Sequence, residues 1–409
     1  MPFQRVAKRL DEMIPDFIEW EKELTAIPAL GPDNDGEGEE RKAELIAQKM
    51  RELAPDETHE IHAPDDRAPC GYRPNLVYVW KGADSSKKIW VLSHMDIVPP
   101  GQRQLWDSDP YELKVDGDKL YGRGVEDNQH GLVSSVAAVK AILQENITPP
   151  HDMGLVFVAD EETGSKYGLQ YILKHRADLF AATDLIVVPD AGNEDGTLIE
   201  VAEKSMLWLR FRVVGKQCHA SMPQRGINSF RATARLVIAL ERLYSEYAAE
   251  DPLFHPPQST FEPTKKEANV PNVNTIPGED VFYLDSRVLP QYPIDDVQRE
   301  AERICRSVER DTGVRVEVEA VMKDQASPPT PADAPVVLGL QKAVEAVYGR
   351  KAQPGGVGGG TVAAFFRRAG LPVAVWSTSC ETAHQPNEYC PLDALVGDAK
   401  VFAHLFLNP

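Results

Sequence analysis

The stretch IWVLSHMD (residues 89–96) decides the fold prediction, because a short apolar run ends directly in side chains that can bind a metal. His94 closes the run, and Asp96 follows two residues later. Short buried runs rich in Val, Ile and Leu are typical of parallel strands. In open α/β sheets, ligands bind beyond the carboxyl ends of such strands. The stretch therefore predicts a strand that carries metal-binding side chains to one edge of a sheet.

Three further apolar runs end in the same way. They are GLVFVAD (154–160) followed by Glu161 and Glu162, DLIVVP (184–189) followed by Asp190, and PVAVWS (372–377) followed by a loop with His384. A fifth candidate, Asp127, lies in the glycine-rich loop GRGVEDNQHG (122–131). Two histidines and several carboxylates on one rim predict a metal site, and one that holds two metal ions.

Each candidate has an ordinary structural interpretation when it is taken alone. His94 can be a surface histidine beside a capping Asp96, and Asp127 can be the N-cap of a helix that begins near residue 131. The run 160–162 can be a solvated acidic turn, although adjacent carboxylates repel one another unless cations are present. The other two candidates are then ordinary turn or loop residues. Their shared position after predicted strands favours the metal site.

Size and charge limit the class of protein. A chain of 409 residues exceeds the usual limit for one core, so we expect two domains. The formal net charge of −19 argues against nucleic acid and against anionic membrane surfaces as partners. The five cysteines are scattered, with no C-x-x-C, which fits a reducing compartment. No apolar signal core or membrane-length run occurs, so we expect a cytoplasmic protein.

The pattern of predicted elements changes twice along the chain. Strands alternate with helices through the first part of the chain. The character of the sequence changes at a half-exposed strand predicted over 206–214, and the alternation returns after residue 325. We predict an α/β fold with a mixed, mostly parallel sheet flanked by helices, interrupted by a smaller α/β lid domain. The predicted domain segments are 1–202 and 324–409 for the catalytic domain and 203–323 for the inserted domain.

Local predictions are made for four other segments. We predict one amphipathic helix over 1–25, one helix over 228–248, a loop over 251–278 and a glycine-rich loop over 354–360. His219, in GKQCHAS, belongs to the inserted domain and is not grouped with the metal ligands. A lid histidine can donate a hydrogen bond to a developing oxyanion, whereas the alternative is an exposed histidine at a strand end.

Seven motifs together resemble one known family over nearly the whole chain. They are SHMDIVP (93–99), YGRGVEDNQHG (121–131), ADEETGS (159–165), VVPDAG (187–192), GKQCHAS (215–221), NTIPG (274–278) and AHQPNEY (383–389). The family is that of co-catalytic zinc exopeptidases and N-acyl-amino-acid deacylases. It includes acetylornithine deacetylase, succinyl-diaminopimelate desuccinylase, glutamate carboxypeptidase, peptidase T and carnosinase-like dipeptidases.

The resemblance implies a role for each matching metal-site residue. His94 and Asp190 would hold one metal ion, Glu162 and His384 the other, and Asp127 would bridge both. Glu161 would be the general base, and Asp96 would orient His94. The implied cofactors are two divalent ions, with zinc expected and cobalt or manganese as alternatives.

The resemblance also implies substrate and partner contacts. His219 would be the lid histidine, which in dimeric members reaches into the partner's active site, so we expect a homodimer through the inserted domain. Asn274 and Arg287 fall where relatives contact a substrate carboxylate, and Gly360 and Thr361 fall in a stretch that grips substrate.

The chain departs from the family pattern in two places. Relatives commonly show Asp-x-Lys-Gly after the bridging aspartate, whereas Asp127 is followed by Asn-Gln-His-Gly, with one more residue and His130 where Lys is usual. The later stretch reads Gly-Gly-Thr-Val-Ala (359–363), which is less polar than in many deacylases. Asp rather than Glu at 190 resembles the dipeptidase and tripeptidase branch.

The leading hypothesis is hydrolysis of the amide bond of a small peptide by a dinuclear metallohydrolase. Two cations would lower the pKa of a shared water towards ~7, and Glu161 would take its proton. The alternative is an N-acyl-amino-acid deacylase, and a more remote one is a non-catalytic metal-binding protein of the same fold. An esterase or phosphatase is disfavoured because no G-x-S-x-G motif occurs.

Overall fold

The computed structural model describes residues 2–409. These residues form two compact units, and each is described by itself. The first comprises the chain up to Val201 together with Pro329–Gly355 and Thr361–Pro409, and the second comprises Ala202–Pro328 and Gly356–Gly360. The segments predicted as folding domains (1–202, 203–323 and 324–409) stay a prediction.

The helices and strands alternate along much of the chain. The α-helices of residues 2–409 are α1 (Pro2–Glu12), α2 (Ile14–Thr25), α3 (Glu40–Glu52), α4 (His130–Gln144), α5 (Leu169–His175), α6 (Ser229–Leu240), α7 (Arg242–Glu246), α8 (Ile294–Thr312), α9 (Pro335–Tyr348), α10 (Ala363–Arg368) and α11 (Leu392–Leu407). The strands are β1 (Glu57–Pro64), β2 (Tyr72–Trp80), β3 (Asp84–His94), β4 (Lys114–Asp116), β5 (Lys119–Tyr121), β6 (His151–Val158), β7 (Leu185–Asn193), β8 (Leu198–Glu203), β9 (Ser205–Val214), β10 (Cys218–His219), β11 (Thr260–Lys266), β12 (Thr275–Ile276), β13 (Glu279–Val288), β14 (Arg315–Asp324), β15 (Gln353–Val357), β16 (Val373–Thr378) and β17 (Tyr389–Pro391).

An eight-stranded mixed sheet carries the predicted metal-site residues. Its strand order is β1-β2-β6-β3-β7-β16-β8-β15. The four central strands β6, β3, β7 and β16 run parallel to one another, whereas β1, β2 and β8 pair antiparallel with their neighbours. The central parallel strands are buried on both faces, which explains their continuous apolar sequences. The predicted fold class is confirmed.

Helices cover both faces of this sheet. Alternate residues of the central strands, such as Leu92 and Val156, pack with Leu169 of α5 and Phe366 of α10. Helices α4, α9 and α11 contact the sheet strands, and α11 also contacts α4 and α9. Close packing fixes the glycine at 154, because a Cβ atom there would lie 2.1 Å from the Trp90 ring. The sheet is therefore a buried, rigid platform for the ends of its strands.

The second unit contains a four-stranded antiparallel sheet in the order β11-β13-β9-β14. Strand β9 alternates strictly between buried and half-buried residues, as the period of two predicts for a sheet with one covered face. Buried residues of α6 and α8 pack on the covered face, where the Phe211 and Phe282 rings stack 4.7 Å apart.

Several predicted segments differ in the structure. The predicted helix over 1–25 is two helices, because Pro15 has no backbone N–H with which to continue the hydrogen bonds of α1 and instead lies in the first turn of α2. The predicted helix over 228–248 divides into α6 and α7. The predicted loops over 251–278 and 354–360 contain β11 and β15, which are edge strands interrupted by Pro263 and by glycines, so neither shows a clear alternation.

Two further expectations concern membranes and thiols. Within residues 2–409, no helix combines the length and the apolar character that a membrane span needs. All five cysteines are free thiols. The expected cytoplasmic location stays a prediction.

Candidate metal centre

The ends of the four central strands bring the predicted ligands to one edge of the first unit. His94 is the last residue of β3, Glu161 and Glu162 follow β6, Asp190 lies late in β7, and His384 lies in the loop after β16. Because these strands are parallel, their carboxyl ends share one edge of the sheet. Residues that are distant in sequence therefore converge.

His94 is held with one ring nitrogen directed at carboxylates. Its Nδ1 lies 3.0 Å from the backbone carbonyl oxygen of Asp96, which fixes the ring as a donor on that side. Its Nε2 lies 2.8 Å from Asp127 Oδ1 and 3.3 Å from Asp190 Oδ1. The side chain is buried, so the orientation of the ring is well determined.

Asp127 faces two different histidines with its two oxygens. Oδ1 lies near His94, and Oδ2 lies 3.0 Å from Nε2 of His384. The same His384 nitrogen is 3.1 Å from Glu162 Oε2. A carboxylate placed in this way can bridge two cations. The peptide bond between Asp127 and Asn128 is cis.

The donor atoms fit a transition-metal site. Two groups of three side chains could each hold a cation, because the donor atoms within each group lie within 4.8 Å of one another. The first group is His94, Glu161 and Asp190, and the second is His94, Asp127 and Glu162. Mixed imidazole and carboxylate donors suit zinc and its neighbours. The Oε1 atom of Glu162 is buried and has no hydrogen-bond partner within residues 2–409, which leaves it for a cation. The predicted division of ligands between two ions stays a prediction.

Proton affinities at the site show how strongly it favours positive charge. Hydrogen bonds to Asp127 and Glu162 raise the pKa of His384 to about 10. Burial acts to lower the pKa of His94, but hydrogen bonds to Asp127 and Asp190 outweigh it and raise that pKa well above its usual range. The pKa values of both imidazoles are therefore raised by carboxylates at the positions where ligand nitrogens would face a metal.

The carboxyl groups respond to the same crowding. Burial, followed by the neighbouring Asp190 carboxylate, raises the pKa of Glu161 well above its usual range. Burial raises the pKa of Glu162 to about 6. Burial also acts to raise the pKa of Asp127, but the hydrogen bonds from His384 and His94 lower it overall. A cluster of carboxyls with such opposed pKa values is typical of a functional site.

Buried contacts hold the acidic turn after β6. The Asp96 carboxylate accepts the backbone N–H groups of Glu161 and Glu162, each at 3.0 Å. Asp160 has a positive φ of 63°, and its carboxylate accepts the N–H of Tyr167 at 2.9 Å. These bonds fix the directions in which the two glutamate side chains leave the turn.

Arg73 and Glu39 lie directly behind this turn. Arg73 Nε donates to Glu39 Oε2 at 2.6 Å, and its Nη1 lies 3.5 Å from Asp160 Oδ1. Glu39 in turn accepts the N–H of Asp160 at 3.3 Å. All three side chains are fully buried, so the turn is backed by a network of charges.

Three residues close to the site were missed by the sequence reasoning. Asn128 donates to Asp190 Oδ1 at 2.9 Å and to the carbonyl oxygen of Pro189 at 2.6 Å. The buried carboxylates of Glu126 and Glu388 each accept backbone N–H groups from a neighbouring loop. All three lie inside the sequence motifs given above. The motifs therefore contained these residues but did not indicate which groups they would contact.

His130, which was noted as a departure from the family pattern, has a structural partner elsewhere. It begins α4, is buried, and places its Nε2 3.0 Å from Asp398 Oδ2 on α11. Tyr348 donates its hydroxyl to the same carboxylate at 2.7 Å. His130 therefore joins α4 to α11.

The remaining predicted residues are divided between the units. His219 is exposed, and the N–H of Ser221 donates to its Nδ1 at 3.2 Å. The Arg287 guanidinium bonds to Asp285 and donates to the Gly358 carbonyl at 2.9 Å. The substrate and lid roles of Asn274, Gly360, Thr361, His219 and Arg287 stay predictions.

Comparisons with known proteins now assign the family. Residues 90–408 match the model of Peptidase family M20/M25/M40. The chain belongs to this family, and it is a metallohydrolase.

Three proteins illustrate the range of relatives to which the chain is similar. An uncharacterized metallohydrolase of Methanocaldococcus jannaschii is 38% identical over 406 residues, which cover 96% of this chain and 98% of that protein. A succinyl-diaminopimelate desuccinylase of Cereibacter sphaeroides is 28% identical over 318 residues, which cover 77% of this chain and 81% of that protein. The crystal structure of human carnosine dipeptidase 1 matches with a TM-score of 0.77 and 17% identity, over 100% of this chain and 98% of that one.

Proposed function

We propose that this protein hydrolyses the amide bond of a small peptide, with two divalent cations and Glu161 as general base. One observation carries the proposal: the two oxygens of Asp127 face His94 and His384 separately, at 2.8 and 3.0 Å. A carboxylate whose two oxygens face two different histidines is placed to bridge two cations, one beside each histidine.

The proposed ligands are those that converge at the sheet edge. His94 and Asp190 would hold one ion, Glu162 and His384 the other, and Asp127 both, with zinc as the expected metal. Bound cations supply Lewis-acid chemistry, because they lower the pKa of water and polarise a carbonyl oxygen.

Glu161 is the proposed proton carrier. It takes the proton that water loses when its oxygen attacks the carbonyl carbon, and it returns that proton to the amine nitrogen as the C–N bond breaks. Its raised pKa and its fixed backbone, held by Asp96, support this role. Asp96 acts as a positioning residue for the turn and, through its carbonyl oxygen, for His94.

Different observations favour peptide substrates and acyl-amino-acid substrates. Asp at position 190 and the carnosine dipeptidase fold favour a dipeptidase or tripeptidase. The 28% identity to a desuccinylase favours the alternative, an N-acyl-amino-acid deacylase with the same catalytic groups. We propose the peptidase and keep the deacylase as second candidate.

A hydrolysis screen tests the proposal. Purified protein with added Zn²⁺, Co²⁺ or Mn²⁺ is offered dipeptides, tripeptides, and N-acetyl and N-succinyl amino acids. Turnover of the peptides is expected, and turnover of only the acyl amino acids would replace the peptidase with the deacylase. Bound metal without hydrolysis of any substrate would favour a non-catalytic binding protein.

We also propose a homodimer formed through the second unit. Strand β14 is an edge strand that exposes Val321 and Met322, and α6 exposes Phe230 and Ile238. Light scattering is expected to give two chains per particle, and Val321→Lys to give one. A wild-type monomer at micromolar concentration would contradict the dimer.

A further inference from the structure

Two loops that carry proposed metal ligands exchange buried carboxylates. Glu388 follows His384 by four residues, but its side chain reaches the loop of Asp127. Its Oε1 accepts the backbone N–H groups of Gly124 at 3.1 Å, Glu126 at 3.0 Å and Asp127 at 3.1 Å. Its Oε2 is paired with the guanidinium of Arg123, and the side chain is fully buried.

Glu126 makes the reverse connection. It directly precedes Asp127, but its carboxylate reaches the segment that leads to His384. It accepts the hydroxyl of Ser379 at 3.0 Å and both the N–H and the hydroxyl of Thr382 at 2.6 Å. The N–H of Cys380 donates to the same carboxylate. Each ligand loop therefore supplies the acceptor that organises the other.

The loop of His384 needs such support. Glu381, His384 and Asn387 have positive φ values of 57°, 63° and 60°, a conformation that is uncommon for residues other than glycine, although Asn and His adopt it more often than most. Backbone of this kind persists only when surrounding contacts determine it. The bonds to Glu126 precede His384 and those of Glu388 follow it, so both sides of the ligand are fixed.

We propose that Glu126 and Glu388 are reciprocal positioning residues that set the separation of Asp127 and His384, and thereby the affinity for metal. The inference rests on the proposed dinuclear function. The hydrogen bonds of both carboxylates go mainly to the backbone of the loops, so each acts through the loop that it holds. A merely structural pair would stabilise the fold without changing metal affinity.

The substitutions Glu388→Gln and Glu126→Gln test the proposal with little change in volume. Each replaces an acceptor oxygen with an NH₂ group that faces existing donors, namely Arg123 in the first case and the 379–382 segment in the second. Exposed Glu112→Gln is the matched control.

The measurement is metal affinity, by competition of Zn²⁺ with a chromophoric chelator, together with the visible spectrum of the Co²⁺-loaded protein. Supporting contacts of metal ligands typically change affinity by about 10–100-fold, so we expect that loss in both variants and none in Glu112→Gln. The Co²⁺ spectrum is expected to change because the ligands shift. Unfolding of the metal-free forms is measured in parallel.

The outcomes separate the inference from the function on which it rests. The inference alone would be overturned if wild-type protein binds two ions and the folded variants keep the wild-type affinity and Co²⁺ spectrum. Wild-type protein that binds fewer than two ions would overturn both. If a Gln variant fails to fold, Ser379→Ala removes one donor to Glu126, and unchanged affinity in that variant would equally count against the proposal.

Discussion

Removal of the Arg73 charge is expected to destabilise the protein strongly, because its guanidinium is hydrogen-bonded to the buried Glu39 carboxylate and lies within 4 Å of two other buried carboxylates. Its guanidinium lies 2.6 Å from Glu39, 3.5 Å from Asp160 and 3.8 Å from Asp65, and Arg73 and Glu39 are fully buried. Breaking a buried pair by removing one partner costs about 3–5 kcal/mol, because the other charge stays buried and unpaired. Arg73→Met keeps most of the volume, so the charge is the main change.

Arg67 offers a matched control. It also pairs with Asp65, at 2.9 Å, and also lies over the Tyr167 ring, but its side chain is 44% exposed. Exposed ion pairs contribute about 0–1 kcal/mol. Arg67→Met leaves the buried Asp65 with the Arg73 guanidinium at 3.8 Å, so it should lower the free energy of unfolding by less than Arg73→Met does.

The loss in Arg73→Met should depend on pH. Burial raises the pKa of Glu39 to about 7 even with Arg73 present, and removal of the guanidinium raises it further. A carboxyl whose folded pKa lies above its unfolded value stabilises the protein at low pH and loses that contribution as pH rises. The difference between variant and wild type should therefore be smaller at pH 5 than at pH 8.

The assay is urea unfolding of the metal-free protein at both pH values, followed by circular dichroism and tryptophan fluorescence. Chelation of metal removes stabilisation by ligand binding, which would otherwise mix with the measured free energy. A loss of about 1 kcal/mol or less at pH 8, equal to that of Arg67→Met, would refute the argument. A larger loss at pH 5 than at pH 8 would refute its electrostatic basis.

Three further predictions concern the site and its platform. Glu161→Gln should lower turnover by at least about 10²–10⁴-fold with metal content kept, and near-normal turnover, relative to a Glu112→Gln control, would remove Glu161 as the base. Gly154→Ala should cost about 1–3 kcal/mol in urea unfolding because its Cβ meets the Trp90 ring at 2.1 Å, and a neutral result would show that the ring can move. Zinc affinity measured by calorimetry should rise between pH 6 and 8, with release of protons, because zinc must displace a proton from His384, whose pKa is about 10. An affinity that does not change with pH would contradict this prediction.

The strand ends were predictable because the central strands carry a strong signal. Runs such as 89–93 and 154–158 are buried on both faces, so their apolar sequence is continuous and stops where the ligand begins. Strands β11 and β15 lie at sheet edges, and proline or glycine interrupts them, so composition indicated loops. Short-range patterns identify central strands far better than edge strands.

The proposed metal ligands could be named from the sequence, but the contacts that hold them could not. His94 could be identified by its residue type and its position at the end of a strand, and Asp127 by its residue type and its position in a glycine-rich loop. The contribution of Glu388 depends on three N–H groups more than 260 residues away, and no local pattern shows that approach. His130 shows the converse, because a histidine near the ligands has its partner on α11.

The central claim is that Asp127 bridges two metal ions. The most direct test is metal content per chain, by elemental analysis after equilibration with zinc and gel filtration, for wild type and Asp127→Ala. We expect about two ions per chain in wild type and a loss of both, or of tight binding to both, in the variant. One ion or fewer in wild type, or two tightly bound ions in Asp127→Ala, would contradict it.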